Sequence, residues 1–367
     1  MYFDYTATTK MDEEVLKLYI DVQNKFFANT TSLHSFGQKC NSLYEKMKNE
    51  ISNVLDVDHK IIFTSNATEA NNLGILGLIG DKKGKLITTK IEHPSVFEVF
   101  KKLETIGYEV IYLDVDEKGI IKLEQLENEL NKETILVSIM WVNNIVGGIQ
   151  PIDKIINIVK KYPKCKLHVD CVQGMCKLKP NFKYSDIDAF TFSAHKFYGP
   201  KGIGGLVYKK GLELVPRLFG SNVQEGLKPG TFDLGLIAGC AKALKKYSLS
   251  TSEHYNYVKE LNKYIRDRIQ NNNIVINSSN DYNYSSPYII NISVPNILGE
   301  TVVHIFEERE MYVSTGSACS SKLRKPEKTI YAMTNSELLA KTTVRISLSH
   351  LTTYEEADAL LSVINSI

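Results

Sequence analysis

No run of apolar residues in this chain approaches the length of about 20 that a helix needs to cross a bilayer, so a membrane span is not expected. Nor does a Gly-x-Gly-x-x-Gly turn follow the first strand-like run, which removes the usual support for a dinucleotide site. An excess of charge of one sign is missing too. Lysine and arginine number 44 against 42 acidic residues, and they are spread along the chain. Binding to a nucleic-acid backbone calls for a concentrated basic surface, so direct nucleic-acid binding is not expected. Cysteine is sparse, with six residues at positions 40, 165, 171, 176, 240 and 319 and no CxxC pair. Neither a disulfide scaffold nor a metal site is expected from that spacing; buried thiols acting as small apolar groups are the ordinary reading. The opening, MYFDYTATTK, has an acidic residue at position 4 and does not read as a signal peptide, which makes a cytoplasmic location the expectation.

What is present describes a folded α/β chain. Hydrophobic content of 43% and charged content of 23% are ordinary for a globular protein, and 367 residues suffice for a large domain with a smaller companion. Val15, Leu18, Tyr19, Val22 and Phe26 recur at helical spacing, as do Cys40, Leu43, Met47, Ile51 and Val54. Strand-like runs then alternate with helical ones. IIFTS, KLITTKI, EVIYL, TILVSIMWV, KLHVD, DAFTFS and GGLVYK are the clearest strands, and several are apolar throughout. Parallel strands covered on both faces read in that way. The expected fold is an open α/β, mostly parallel sheet whose ligand sits off the carboxyl ends of its strands. The expected division is a large domain over residues 12–250. A smaller α+β domain would be built from 1–11 and 251–367, with YIINISV and TVRISLS as strands and a capping box at Thr353–Glu356 ahead of the last helix.

Four strand ends carry chemistry. Lys196 follows DAFTFS; a lysine amine, when neutral, condenses with the aldehyde of pyridoxal 5'-phosphate. That cofactor needs an acid at its ring nitrogen, and Asp170 ends the strand KLHVD. Gln173 could donate to the ring's phenolic oxygen. In SNATEANN, Ala67 and Thr68 open a helix whose N–H groups and dipole suit a phosphate, with Ser193 and His195 close to the same place. His93, after KLITTKI, could cover the ring and carry protons, and Asn144 ends a further strand. Each has a plainer alternative: an exposed loop charge for Lys196, a helix cap for Asp170 or Ser-Asn-Ala-Thr, a turn residue for His93. Their joint occurrence at successive strand ends favours a pyridoxal phosphate site.

With these motifs in order, the chain resembles the NifS/IscS-type cysteine desulfurases, a class V branch of the fold-type I aminotransferase superfamily. The resemblance runs through YFDYTATTK, NTTSLHSFG, FTSNATEANN, EHPSV, VSIMWVNNIVGGIQPI, HVDCVQ, SAHKFYGPKGIGGL, TGSACSS and VRISLS. It implies that Lys196 carries the cofactor, His93 stacks on its ring, and Asp170 and Gln173 meet its nitrogen and phenolic oxygen. Thr68, Ser193 and His195 would hold the phosphate, and Asn144 would lie beside cofactor and substrate. Arg345 falls on the family's substrate-carboxylate arginine and Cys319 on its nucleophilic cysteine. Thr231 falls on a residue that reaches the partner's phosphate across a homodimer interface. The activity implied is conversion of L-cysteine to L-alanine with a persulfide on Cys319. The sulfur would pass to an acceptor such as an iron–sulfur scaffold or a tRNA-thiolation enzyme. Another pyridoxal phosphate activity, such as selenocysteine lyase or aminotransferase, and a non-catalytic scaffold of the same fold remain the alternatives. The sequence departs from the family's habit at Ile145, Lys228 and Asp233.

Overall fold

The computed structural model describes residues 1–316 and 326–367. Seven strands form the large sheet, in the order β1 (His59–Thr64), β7 (Gly204–Lys209), β6 (Ala189–Ser193), β5 (Lys166–Asp170), β4 (Thr134–Met140), β2 (Lys85–Thr89) and β3 (Glu109–Leu113). From β6 to β3 every pairing is parallel, whereas β7 runs antiparallel to both β6 and β1. Strand β1 therefore points the same way as β6. The ends of β1, β2, β4, β5 and β6 consequently share one edge, which is where an open sheet of this kind binds its ligand. Every residue of β2 and β6 is buried, which accounts for the apolar or small residues that fill them apart from Lys85, whose ammonium pairs with Glu129.

The helices follow from their caps and stripes. Helix α1 (Glu13–Lys25) starts where Asp12 accepts the N–H groups of Glu14 and Val15, and its Val15 and Val22 are buried. Helix α2 (Ser35–Leu55) is capped by His34 and stops at Asp56, which takes a left-handed conformation at φ 52°. Both pack against the helix Leu234–Leu249. Helices α3 (Ala67–Ile79) and α4 (Pro94–Thr105) cover the sheet beside one another, each starting at the ligand-side edge. Among the described residues no helix is long and apolar enough to cross a membrane.

A second sheet, β10 (Thr343–Ser347), β9 (Ile289–Ser293) and β8 (Val275–Ile276), is antiparallel throughout. It has its own apolar cluster, which includes Phe3, Leu261, Ile290, Phe306, Ile346 and Leu360. The HIFEEREM stretch between the two long strands enters the helix Gly299–Glu307. The expected capping box is present in the last helix, Tyr354–Ile364. An N-terminal strap joins the two cores. Asp4 bridges to Ser347 of β10, while the Thr9 N–H donates to the His195 carbonyl after β6 at 2.9 Å.

Gly204 shows how tightly β7 is set against the start of α3. A Cβ there would lie 2.8 Å from the Asn66 carbonyl carbon, 2.8 Å from the Phe192 oxygen and 3.0 Å from the Ala67 nitrogen. All three are backbone atoms and cannot rotate away. Gly204→Ala is expected to lower stability by about 1–3 kcal/mol, read as a lower denaturant midpoint with an unchanged slope; an unaltered midpoint would show that the helix start can shift freely.

Candidate active site

The shared strand edge, the N-terminal strap and β10 enclose a cavity of about 590 Å³. Lys196, Asp170, His93, Gln173, Asn144, Ser193, His195, Ala67, Thr68 and Arg345 all line it. Lys196 ends the short turn Ala194–Lys196 that continues β6. Its ammonium donates to the Thr6 and Ala7 carbonyls of the strap, at 2.7 and 2.8 Å. No carboxylate lies within ion-pair distance of it among the described residues. Burial pushes this amine down to about 8; Arg345 lowers it further, and Asp4 and Asp170 oppose the fall.

Asp170 is held from two sides. Its Oδ1 accepts the Val172 N–H at 3.0 Å and its Oδ2 accepts Asn71 Nδ2 at 2.8 Å. Asn71 is fully buried in α3 and acts as a junction. Its Oδ1 accepts from the Thr191 hydroxyl at 2.5 Å, and its Nδ2 also donates to Ser95 Oγ at 2.8 Å. With an N–H pointing at its oxygen, Ser95 turns its own hydrogen toward His93 Nδ1, 2.8 Å away. The Ser95 backbone N–H, which can only donate, meets the same Nδ1 at 3.1 Å. Neutral His93 therefore carries its proton on Nε2, and presents a donor to the cavity. Burial lowers the His93 pKa; Asp170 raises it, and Lys196, Lys328 and Arg345 lower it.

The phosphate end is equally specific. Asn66 caps α3 by accepting the Glu69 N–H at 2.9 Å. The Ala67 and Thr68 N–H groups have no acceptor among the described residues. Ser193 Oγ is buried without a hydrogen-bond partner among them. His195 donates to or accepts from Thr8 Oγ1 at 3.1 Å, and burial followed by Lys196, Lys177 and Lys201 pushes it down to about 4. Orphaned donors at a helix start, a buried hydroxyl and a cationic surround are what a phosphate would satisfy. The residues present thus fit pyridoxal phosphate.

The opposite wall belongs to β10. The Arg345 guanidinium donates to the Asn144 carbonyl at 2.9 Å and to Asp4 at 2.7 Å, and its Nε is buried without a partner among the described residues. Thr231 is exposed and does not line the cavity. Cys319 lies outside the described residues. The other five cysteines are buried and absent from the cavity wall.

Several residues that build this site escaped sequence reading. Asn71 and Ser95 set Asp170 and His93, and the strap residues Asp4, Thr6 and Ala7 meet Arg345 and Lys196. Asn71 had a signal: a polar residue within the otherwise apolar face of α3. The strap had none, since its partners lie more than 180 residues away in sequence. Glu92 and Lys328 also line the wall, the Lys328 ammonium donating to the Glu92 carbonyl at 2.7 Å.

Comparison with known proteins agrees with the geometry. Residues 1–360 match the Aminotransferase class-V family. A NifS/IcsS protein homolog of Lactobacillus delbrueckii subsp. bulgaricus is 38% identical, with 100% of this chain and 97% of that protein covered. The cysteine desulfurase IscS of Buchnera aphidicola subsp. Baizongia pistaciae is 34% identical, over 100% of this chain and 92% of that protein. A solved NifS-like protein superposes with a TM-score of 0.92 at 34% identity, covering 100% and 98% of the two chains.

The setting of Lys196 predicts its titration. At pH 7 about a tenth of an amine with a pKa near 8 is neutral, against fewer than about one in a thousand for an ordinary lysine. Reductive trapping of the apoprotein with pyridoxal phosphate and borohydride is expected to label Lys196, at a rate that rises through about pH 8. A rate that rises only near pH 10 would contradict the assignment of a desolvated amine.

Proposed function

As the chain belongs to the class-V aminotransferase family, we propose that it is a pyridoxal 5'-phosphate-dependent cysteine desulfurase, converting L-cysteine to L-alanine and holding the sulfur as a persulfide on Cys319. One observation carries the reading: a lysine amine without a carboxylate partner among the described residues and a buried guanidinium line the same cavity as a doubly anchored aspartate. When bound, the cofactor supplies an electrophilic carbon for the substrate amine and a sink for the electrons left on substrate carbon.

The chain's own residues do the rest. Asp170, held by Asn71 and the Val172 N–H, faces the ring nitrogen as an acceptor. Gln173 meets the phenolic oxygen. The Ala67 and Thr68 N–H groups, Ser193 and His195 take the phosphate. Neutral His93, which lines the cavity, would cover the ring and has its Nε2 proton free to donate. Arg345 grips the substrate carboxylate, and Asn144 is held beside it through its carbonyl. Lys196 Nζ, as a neutral amine, would take the proton from substrate Cα and return one to carbon. Cys319 Sγ, as a thiolate, attacks the substrate sulfur. The new S–S bond forms as the C–S bond breaks, its electron pair stays with the carbon that becomes the alanine methyl group, and one cysteine plus one thiol give one alanine plus one persulfide.

The remaining thiols support this choice by contrast. Burial pushes Cys165 and Cys176 up to about 12, and raises Cys171 and Cys240 as well. Such groups stay protonated and unreactive at neutral pH. The reading includes a homodimer in which Thr231 reaches the partner's phosphate, a cytoplasmic location, and delivery to an acceptor for iron–sulfur cluster assembly or thiolation. It also includes the division into a large domain, residues 12–250, and a small one.

The decisive experiment feeds L-cysteine to wild type and Cys319→Ala. Alanine and protein-bound sulfane sulfur are expected from the first and neither from the second, with the bound cofactor retained in both. Full alanine production by Cys319→Ala would sink the persulfide route and favour a lyase of the selenocysteine-lyase kind; a 2-oxo acid in place of alanine would favour transamination. Arg345→Lys, which keeps charge but loses the planar fork, is expected to lower kcat/KM about tenfold to a hundredfold, mostly through KM.

A further inference from the structure

Behind the cavity wall sits a second buried lysine to which the reaction assigns no part. Lys177 follows Asp170 and Gln173 on the same turn-rich segment after β5, and only 6% of it is exposed. It does not line the cavity, whereas Gln173 does. Its ammonium has one hydrogen-bond partner among the described residues, Gln173 Oε1 at 2.8 Å, and no carboxylate within ion-pair distance. The Tyr288 ring centroid is 6.0 Å away, at the limit of a cation–π contact. Burial, then Lys196 and Arg345, push the amine down to about 7. A methionine of similar volume would fill the same space without burying a polar group, so packing alone does not account for a lysine here.

What the lysine does is decide which end of an amide faces the site. The two ends of a glutamine have nearly the same shape, and their orientation is set by their partners. As an ammonium Lys177 has no lone pair and can only donate, so the end of the amide that faces it is Oε1. Gln173 must then turn Nε2 the other way, and it does, donating to the Thr6 carbonyl at 3.0 Å. That same carbonyl accepts from Lys196 at 2.7 Å. A line of fixed polarity thus runs from Lys177 through Gln173 to the strap that holds Lys196.

We propose that Lys177 is a positioning residue that locks the Gln173 amide with its N–H groups toward the cavity, so that the phenolic oxygen of the cofactor meets a donor and never the amide oxygen. This rests on the function proposed above, but only on the cofactor half of it.

The test is a double-mutant cycle on cofactor affinity, read on apoprotein titrated with pyridoxal 5'-phosphate by absorbance, without substrate. Lys177→Met and Gln173→Ala are each expected to weaken binding about tenfold, the scale of one oriented hydrogen bond. The double variant should bind no more weakly than the poorer single variant. Both singles should also displace the visible band of the bound cofactor in the same direction, which a general loss of stability would not do. Lys177→Arg keeps a donor and should recover most of the affinity. If Lys177→Met fails to fold, Lys177→Ala, which has no side-chain donor, against Lys177→Arg gives the same comparison. Multiplying effects in the double variant, or a folded Lys177→Met with wild-type affinity and band position, overturn the proposal. A wild-type chain that binds cofactor but yields no alanine would remove the desulfurase reading and leave this one standing; failure of the wild type to bind cofactor removes both.

Discussion

The site depends on how the Lys196 ammonium is held. Among the described residues two carbonyls of the N-terminal strap, and no carboxylate, take its hydrogen bonds. A carboxylate at that distance would have stabilised the charged form and left an inert cation. Carbonyls satisfy the geometry without supplying a countercharge, so desolvation and the nearby guanidinium of Arg345 prevail. Sheet topology makes this possible. The strands ending at Asp170 and Ser193 are parallel neighbours, which delivers the acid and the amine to the same edge, and the strap crosses that edge on its way between the two cores.

A second constraint follows from the first. Gathering Lys196, Lys177 and Arg345 around one cavity leaves an electrostatic deficit that Asp4 and Asp170 answer only in part. The donors at Ala67, Thr68 and Ser193, unpartnered among the described residues, sit at the same place. A ligand bearing several negative charges would meet both demands together, since orphaned donors and excess positive potential favour the same species. Asn71 adds precision to this field. Through one amide group it orients Asp170 directly and His93 through Ser95, so that the acid and the imidazole are not independent.

The parts of this arrangement that sequence disclosed were the parts encoded locally. A largely buried strand that ends at Asp170, or that leads within three residues to Lys196, can be read within a short window. So can the start of α3 at Ala67 and the capping box at Thr353. The antiparallel placement of β7 between β1 and β6 could not be read, because strand direction depends on the path of the intervening turn. Asp4 and Thr6 were noticed as part of an opening motif, yet their partners Arg345 and Lys196 follow from tertiary contacts alone. Lys177 was passed over because a lysine among apolar residues looks like an interruption until its amide partner, four residues earlier, is seen.

Arg345 brings the two cores into one argument. It stands in the small antiparallel sheet, next to the Ser314 bridge, yet its guanidinium reaches the Asn144 carbonyl at the end of the large sheet's β4 and the Asp4 carboxylate of the strap. Pairing with Asp4 keeps a buried guanidinium in one rotamer at little electrostatic cost. Its Nε, without a partner among the described residues, retains directional demand for a planar anion. The carboxylate-recognising group is therefore fixed from one core, while the amine and the acid are fixed from the other. An amino acid bound between them would have its carboxylate and its amino group anchored to different sheets, and the strap that contacts both Lys196 and Arg345 sets the distance between those anchors.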